Sequence, residues 1–399
     1  MIPAALDAAA AALAGSAVPS GPLIQQSGPG RVHVDGRAMV NMASCDYLGL
    51  ARHPHVLTAA HLAMEEWGLG SAAGRVLSGN TILHARLEER LAAWVGCQEA
   101  VLHGSCWTAN AAIFAALAAL TEQGNTRLAV FSDRLNHASI IDAIRAQRRA
   151  VARMVLYGHE DLDGLRHQLA QPADGTVKVI VTDGVFSMEG DLAPLADLCA
   201  LAEEFEALLI VDDSHGTGVV GAGGHGTAEA HGVLGRVDVI TGTLGKALGG
   251  AIGGFVAGAR HLMTAVRTLS RPYVFSNNPP TAVVAGALAA LDILESDPGP
   301  LTALRTRVRR LRDGITELGL PTHPGEHPIV PLIVGDEQQT HASAIAMVTA
   351  DIYVTALTFP VVPRGQARLR LQVSATHSQT DIDRVLAALT QAPLTRPSG

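Results

Sequence analysis

Apolar and polar residues follow one another along this chain in blocks that predict a repeated succession of helices and strands. Short apolar runs follow longer stretches that have the 3.6-residue spacing of amphipathic helices. The predicted helices are 82–95, 108–120, 138–148, 161–170 and 194–205. The predicted strands are AVL (100–102), LAVFSD (128–133), ARMVLY (152–157), VKVIVTDG (177–184) and LLIVDD (208–213). This succession is typical of βα units that form a mostly parallel sheet with helices on both faces.

The two ends of the chain have different patterns. Residues 1–20 are predicted to form a helical arm, which a Gly/Pro-rich turn and an extended piece through Val40 follow. After the repeated part come two strand-like runs with no full helix between them, two long helices, three further strands and a closing helix. In order, these are VDVITGT (237–243), GGFVAG (253–258), 280–295, 301–319, IVPLIVG (329–335), IYVTAL (352–357), ARLRLQVSA (367–375) and 379–390. We therefore expect an N-terminal arm (1–45), a large domain (46–285) and a smaller C-terminal α+β domain (286–399).

Composition and charge exclude several classes of function. The chain has 399 residues, is 48% hydrophobic, and carries 29 Lys+Arg against 37 Asp+Glu without basic blocks, so we do not expect nucleic-acid binding. Its four cysteines form no CxxC pair, which indicates a reducing compartment and no metal site. The N-terminus lacks the basic region of a signal peptide, and the apolar stretch 249–259 is too short to cross a bilayer. We predict a cytoplasmic protein that does not bind membranes.

Two strand ends are predicted to bring an acid, an imidazole and an amine together. LLIV ends in Asp212 and Asp213, with His215 close behind, and VDVIT leads to a small-residue turn that contains Lys246. Ligand sites of open α/β folds lie at the carboxyl edge of the sheet. An amine and a carboxylate at this edge suit pyridoxal phosphate (PLP), because the lysine can form a Schiff base and an Asp can pair with the pyridinium nitrogen.

The two strand ends taken separately also fit other kinds of site. A lone lysine in a glycine-rich turn is more often a solvated loop residue. A nucleotide-hydrolysing site would require G-x-x-x-x-G-K-[ST]. TGTLGKA does not fit that motif, because only two residues separate Gly242 from Gly245 and Ala247 follows the lysine. The combination of the two strand ends is far more specific than either one alone.

The segment GSCWTAN (104–110) is predicted to open a helix directly after a strand. Backbone amides at a helix N-terminus bind phosphate readily, so Ser105, Cys106 and Trp107 are candidates to hold the cofactor's phosphate. An ordinary strand-to-helix turn is the alternative. His137 follows the LAVFSD strand and could stack on an aromatic ligand, although by itself it would more often make a local hydrogen bond at a helix start.

Two further segments are expected at the same edge. Asp183 and Ser187 lie in a turn that is longer than a plain connection requires. Arg368 and Arg370 alternate with leucines in a strand, and they form either its solvated face or a bidentate clamp for a carboxylate.

Together these stretches resemble the α-oxoamine synthase family of fold-type I PLP enzymes. The resemblance runs nearly end to end, and only the first forty or so residues are unmatched. The matching stretches are DYLGLARHP (46–54), RLNHASIIDAIR (134–145), TDGVFSMEGDLAPL (182–195), VDDSHGTGVVG (211–221), GRVDVITGTLGKALGGAIGGF (235–255), RPYVFSNN (271–278) and IYVTALTFPVVPRGQARLRLQVSATH (352–377). It implies an aminotransferase-like α/β fold with a mostly parallel central sheet.

The resemblance also implies roles for individual residues. Lys246 would bind the cofactor and later remove the Cα proton of the substrate, Asp212 would keep the pyridine nitrogen protonated, His215 would hydrogen-bond the phenolic oxygen, and His137 would stack on the ring. The remaining cofactor contacts would come from Cys106, Trp107, Ser187 and Thr243, and from Ser276 and Asn277 of the partner in a homodimer with shared active sites. Arg370 would hold the carboxylate of the amino acid.

Within the family, RPYVFSN and FPVVPRGQAR favour the branch that condenses glycine with acetyl-CoA into 2-amino-3-oxobutyrate and CoA. One departure concerns the substrates: the family usually has asparagine before (D/N)YLGL, where this chain has Cys45. A thiol is a weak hydrogen-bond partner for a carboxylate. The alternative is a decarboxylating synthase, similar to 8-amino-7-oxononanoate synthase or specialised for a carrier-protein thioester. An aminotransferase, an aldolase or a non-catalytic subunit are more distant possibilities.

Overall fold

The structure, a computed structural model, describes residues 2–13, 21–172 and 175–394. Its strands are Gln26–Gly28 (β1), Arg31–Val34 (β2), Arg37–Asn41 (β3), Glu99–His103 (β4), Arg127–Asp133 (β5), Val151–Tyr157 (β6), Thr176–Asp183 (β7), Leu208–Asp212 (β8), Val239–Thr243 (β9), Gly254–Gly258 (β10), Ile329–Gly335 (β11), Ile352–Tyr353 (β12), Thr355–Leu357 (β13) and Ala367–Gln372 (β14).

Helices connect many of these strands along the chain. They are Ala4–Leu13 (α1), Pro54–Trp67 (α2), Ile82–Trp94 (α3), Cys106–Gln123 (α4), Ala138–Ala146 (α5), Leu162–Leu169 (α6), Leu195–Glu204 (α7), Thr227–Ala230 (α8), Arg260–Leu269 (α9), Arg271–Val274 (α10), Thr281–Ser296 (α11), Gly299–Glu317 (α12), Glu337–Thr349 (α13) and Gln379–Gln391 (α14). The helices predicted after the N-terminal arm are all present within a few residues, whereas α2, α8, α9, α10 and α13 were not predicted.

Seven strands form the central sheet in the order β4–β10–β9–β8–β7–β5–β6. The pairs from β9 to β6 are parallel, and β10 is antiparallel to both of its neighbours. Successive residues of a strand, such as Val130 and Phe131, enter different apolar cores, because side chains alternate between the two faces of a sheet. The predicted α/β fold with a mostly parallel sheet is confirmed, and it places the carboxyl ends of β5, β7, β8 and β9 at one edge.

Two smaller sheets combine distant parts of the chain. One has the order β1–β2–β3–β12, with β3 and β12 parallel, and the other has the order β11–β14–β13. The prediction of one strand for IYVTAL was wrong, because Ile352–Tyr353 and Thr355–Leu357 belong to different sheets. Helix α11 continues across the predicted boundary at residue 286, and the proposed domain limits remain a prediction.

The N-terminal arm is helical over Ala4–Leu13, and the rest of the predicted helix, residues 14–20, lies outside the described residues. Among the residues that the structure describes, no helix has both the length and the apolar character needed to cross a membrane.

Candidate active site

A cavity of about 220 Å³ opens at the carboxyl edge of the central sheet. It brings together the predicted cofactor residues except Ser276 and Asn277, the expected Asp183, and two neighbours that were not predicted, Ser139 and Ser214. Its lining consists of Ser105, Cys106, Trp107, His137, Ser139, Asp183, Ser187, Asp212, Ser214, His215, Thr243 and Lys246. The strand ends therefore converge as the sequence predicted.

Asp212 ends β8, and several donors face its carboxylate. Asn110 Nδ2 donates to Oδ2 over 2.7 Å, and the backbone N–H of Ser214 donates to Oδ1 over 3.1 Å. Cys106 Sγ lies 3.6 Å from both oxygens. Thr241 in turn donates to Asn110 Oδ1 over 2.8 Å, which fixes the orientation of the amide. This set of donors suits an ionised carboxylate, which offers only acceptors.

Helix α4 begins at the cavity because Ser105 caps it. Ser105 Oγ accepts from Thr108 N over 3.2 Å, and Thr108 Oγ1 accepts from Ser105 N over 2.9 Å, which is a capping box. This arrangement uses the third amide of the helix and leaves the amides of Cys106 and Trp107 without helical acceptors. Free amides of this kind at the positive end of a helix, here one of 18 residues, attract anions.

Gly254 on β10 packs directly against this helix start. A Cβ at position 254 would lie 2.3 Å from Cys106 N and 2.4 Å from the Ser105 carbonyl carbon, so the backbone would have to move. We expect Gly254→Ala to lower the free energy of unfolding by about 1–3 kcal/mol through overpacking, and to weaken phosphate and PLP binding as well. Thermal unfolding with and without PLP measures both effects.

Gly28→Ala is the matched control, since no atom lies within 4 Å of a Cβ at that position. Unchanged PLP affinity in a folded Gly254→Ala protein would contradict the assignment of the helix start as an anion site.

His137 precedes α5 and is held from two sides. Its backbone N–H donates to Asp183 Oδ2 over 2.8 Å, and its Nδ1 accepts from Ser139 N over 3.2 Å. Burial lowers the pKa of the imidazole. Burial, and then the nearby Asp212 carboxylate, raise the pKa of Asp183 well above its ordinary value. A neutral ring held in this way presents a flat surface to the cavity, with Trp107 edge-on at 5.9 Å between ring centroids.

Lys246 follows β9 in a turn that Thr243 organises. Thr243 Oγ1 donates to Gly253 O over 3.1 Å and accepts from Gly245 N over 3.0 Å. The Nζ of Lys246 forms no hydrogen bond or ion pair with any described residue, although Lys246 lines a cavity with Asp212. An amine that is free within an enclosed site is available for covalent chemistry.

His215 is buried between two residues that sequence reasoning missed. Its Nδ1 lies 2.8 Å from Tyr47 Oη, and its carbonyl oxygen accepts from His327 Nε2 over 3.0 Å. Burial, and then Lys246, lower the pKa of His215 well below its ordinary value. Burial lowers the pKa of His327 to about 3. Both imidazoles are therefore neutral at physiological pH.

Asp213, the second carboxylate of the motif, does not line the cavity. It accepts hydrogen bonds from the backbone N–H of Thr227 over 3.0 Å and from Thr227 Oγ1 over 2.8 Å. Burial raises its pKa to about 7. Its contacts hold the loop that follows His215.

The two arginines of β14 have different environments. Arg368 is 1% exposed, and it donates to the carbonyl oxygens of Gln366 and Met188, so it does not form a solvated face. Arg370 donates one bond over 2.8 Å to the carbonyl oxygen of Ser187. Its buried Nε has no partner among the described residues, and Arg370 is not among the residues that line the cavity.

Cys45 lies beside this strand rather than in the lining of the PLP-sized cavity. Its Sγ donates to Gln372 Oε1 over 3.0 Å, and it lines an adjacent cavity of about 170 Å³ together with Gly245 and Gly250 of the lysine turn. Ser276 and Asn277 are exposed, after Phe275, which is 73% exposed. The structure does not bring these two residues into the cavity of their own protomer.

Comparisons with known proteins agree with this architecture. The family description "Aminotransferase class I and II" matches residues 37–389. An 8-amino-7-oxononanoate synthase of Geotalea daltonii is 43% identical over 370 residues, which is 92% of each chain. The mitochondrial 2-amino-3-ketobutyrate coenzyme A ligase of Mus musculus is 40% identical over 371 residues, covering 92% of this chain and 87% of the mouse protein. A solved structure of SPT with PLP superposes with a TM-score of 0.88 at 28% identity, covering 98% of this chain and 96% of that one.

Proposed function

Since this chain belongs to the aminotransferase class I and II family and, within it, to the α-oxoamine synthases, we propose that it condenses glycine with acetyl-CoA to give 2-amino-3-oxobutyrate and CoA. Its cofactor is PLP. The observation that carries the proposal is the free amine of Lys246 in one cavity with Asp212 and His215. The RPYVFSN and FPVVPRGQAR stretches support the choice of glycine and acetyl-CoA.

The donor set of the cavity fits PLP. The amides that open α4 would hold the phosphate, Asp212 would pair with the pyridine nitrogen, His215 would face the phenolic oxygen and His137 would cover one side of the ring. When bound, PLP withdraws electrons from the amino acid and so weakens the bonds at its Cα.

The remaining steps belong to the protein's own residues. Lys246 would take the Cα proton of glycine as a general base, since it faces the cavity without a competing partner. Arg370 would hold the glycine carboxylate through its unpaired Nε, which orients the Cα–H bond toward the lysine. The deprotonated Cα would then form a C–C bond to the thioester carbonyl carbon and the C–S bond would break. CoA would leave as the thiol, with the proton that Lys246 had taken from Cα.

A homodimer with shared active sites is part of this proposal. Apolar side chains are exposed before α3 and after α10, including Leu69 (81%), Leu77 (77%) and Phe275 (73%). A backbone bridge joins Gly74 to Asn277, so these two segments are neighbours. Such apolar patches are typical of protein interfaces. Covering them with a second copy would carry Ser276 and Asn277 toward the partner's phosphate site.

The test measures thiol release by the PLP-loaded protein with glycine and acetyl-CoA, each alone and together. We expect CoA release only with both substrates, together with formation of the amino ketone. The 43% identity to an 8-amino-7-oxononanoate synthase favours a second candidate, a decarboxylating condensation. Release of carbon dioxide with alanine and a longer acyl-CoA, but no reaction with glycine and acetyl-CoA, would establish that candidate instead.

Cys45→Asn is expected to tighten glycine binding by about tenfold. An asparagine amide adds a donor near Arg370, and a hydrogen bond to a charged group is worth about 1.5–3 kcal/mol. The glycine dissociation constant, read from the visible absorbance of the PLP-loaded protein, measures the change. Cys97→Asn is the control at a distant thiol. Equal glycine affinity in the wild type, Cys45→Asn and Cys97→Asn would mean that residue 45 does not contact the carboxylate.

A further inference from the structure

A series of hydrogen-bonded side chains runs from Cys45 through Gln372 and Tyr47 to His215. Cys45 Sγ lies 3.0 Å from Gln372 Oε1, and Tyr47 Oη lies 3.3 Å from the same oxygen and 2.8 Å from His215 Nδ1. Tyr47 and Gln372 are 0% exposed, and His215 is 8% exposed. These groups must therefore satisfy one another, because buried polar atoms rarely remain unpaired.

The orientation of the Gln372 amide is fixed. Its Nε2 donates to Ala43 O over 2.7 Å, so Oε1 faces Cys45 and Tyr47 and can only accept. Burial raises the pKa of Tyr47 well above its ordinary value, so its hydroxyl keeps its single proton. Gln372 Oε1 and His215 Nδ1 compete for that proton.

The acceptor to which the Tyr47 hydroxyl donates determines whether His215 Nε2 is a donor or an acceptor toward the cavity. If Tyr47 donates to Nδ1, the neutral ring carries its proton on Nε2 and is a donor toward the cavity. If Tyr47 donates to Gln372, Nδ1 carries the proton and Nε2 can only accept. The shorter distance, 2.8 Å against 3.3 Å, favours the first arrangement, and the thiol proton of Cys45 already satisfies Gln372.

We propose that Cys45 and Tyr47 are positioning residues that hold His215 in the tautomer that donates from Nε2 into the cavity. This inference rests on the proposed function only in taking PLP as the occupant, whose phenolic oxygen is the group that such a donor would stabilise. Neither residue needs to touch the cofactor to have this effect. Besides Tyr47, the charged and titratable groups around His215 include Lys246, His327, Arg370, His137, Asp212, Asp183 and Cys106.

The test compares Cys45→Val with Cys45→Ser in PLP-loaded protein without any amino acid. Valine removes the thiol donor while filling the space, so the Tyr47 hydroxyl donates its hydrogen bond to Gln372 Oε1. The ring proton of His215 then lies on Nδ1, and His215 loses its donor at Nε2. An anionic oxygen that loses a donor binds its own proton more tightly. We expect the pH midpoint of the visible absorbance to rise by about one unit in Cys45→Val. Serine keeps a proton for Gln372, so Cys45→Ser should titrate like the wild type.

A double variant isolates the competition for the proton. Gln372→Met removes the competing acceptor at similar volume, so Cys45→Val/Gln372→Met should return to the wild-type midpoint. Tyr47→Phe should shift the midpoint as Cys45→Val does, and Tyr353→Phe and Cys97→Val are the matched controls. A loss of packing alone would not be reversed by a second substitution in the same core.

Two results would overturn the inference. One is a Cys45→Val midpoint equal to that of Cys45→Ser, and the other is a shift that Gln372→Met leaves in place. In cofactor-free protein, ¹⁵N-histidine NMR, with His215→Gln for assignment, should show His215 protonated at Nε2 in the wild type and at Nδ1 in Cys45→Val. This measurement decides the inference even if the protein binds no PLP, an outcome that would refute the proposed function separately.

Discussion

Lys246→Ala is expected to lower turnover by at least about 10³-fold, because in the proposed function the same amine would bind the cofactor and move the Cα proton. The variant should still bind PLP through the amides that open α4 and through Asp212, but without a covalent link. Borohydride reduction followed by mass spectrometry distinguishes the two states, since only the linked cofactor adds mass to the denatured chain.

The chain contains only two lysines, so the other one is a ready control. Lys178 lies on β7, with its Nζ 5.5 Å from the centroid of the Phe205 ring. Lys178→Ala should keep the covalent mass and the turnover of the wild type. A reduced adduct in Lys246→Ala, or turnover within tenfold of the wild type, would show that another group performs these steps.

Asp212→Asn should have the second largest effect, a loss of turnover of at least about a hundredfold. A neutral amide cannot stabilise a protonated pyridine nitrogen, so PLP would withdraw electrons less effectively. The amide would also present one donor and one acceptor to Asn110 Nδ2 and Ser214 N, which now donate to two acceptor oxygens. One of these hydrogen bonds would therefore be lost. Single-turnover removal of the glycine Cα deuteron measures the step directly.

Asp213→Asn is the neighbouring control, because Asp213 contacts Thr227 rather than the cavity. It should lower the thermal midpoint of unfolding and leave proton removal within about tenfold of the wild type. Equal losses of proton removal in the two variants would mean that the effect of Asp212 is structural.

The sequence predicts the centre of this site because its residues follow strand ends that are short distances apart in the chain. Asp212 ends β8, His215 follows it and Lys246 follows β9, and a parallel sheet places such positions side by side. Their hydrogen-bond partners Tyr47 and Asn110 come from elements 168 and 102 residues away. The spacing of neighbouring apolar residues does not predict contacts between residues so far apart in the chain. Asn110 nevertheless lies in the GSCWTAN segment, which the sequence places at this site.

Helix α13 shows why one element was missed. Its buried residues are Thr340, Ser343 and Met347. They have the spacing of one helical face, but two of them are polar, so the helix lacks the apolar stripe from which amphipathic helices are recognised. The split of IYVTAL has a similar cause, because Val354 lies between two very short strands with different partners. The first pairs with β3, far away in the chain, and the second pairs with β14, which follows soon after it.

The first strands of the chain complete their sheet with one of the last. Val40 and Asn41 pair with Ile352 and Tyr353, and the backbone N–H of Gln372 donates to Met42 O. During translation, all strands of the central sheet have been synthesised once residue 258 has left the ribosome. Strand β12, the partner of β3, is synthesised only about a hundred residues later. The N-terminal strands therefore spend most of translation with an open edge, the state in which strands pair with other chains. We therefore expect that wrong pairing at this edge during translation, rather than assembly of the central sheet, limits the yield of folded protein.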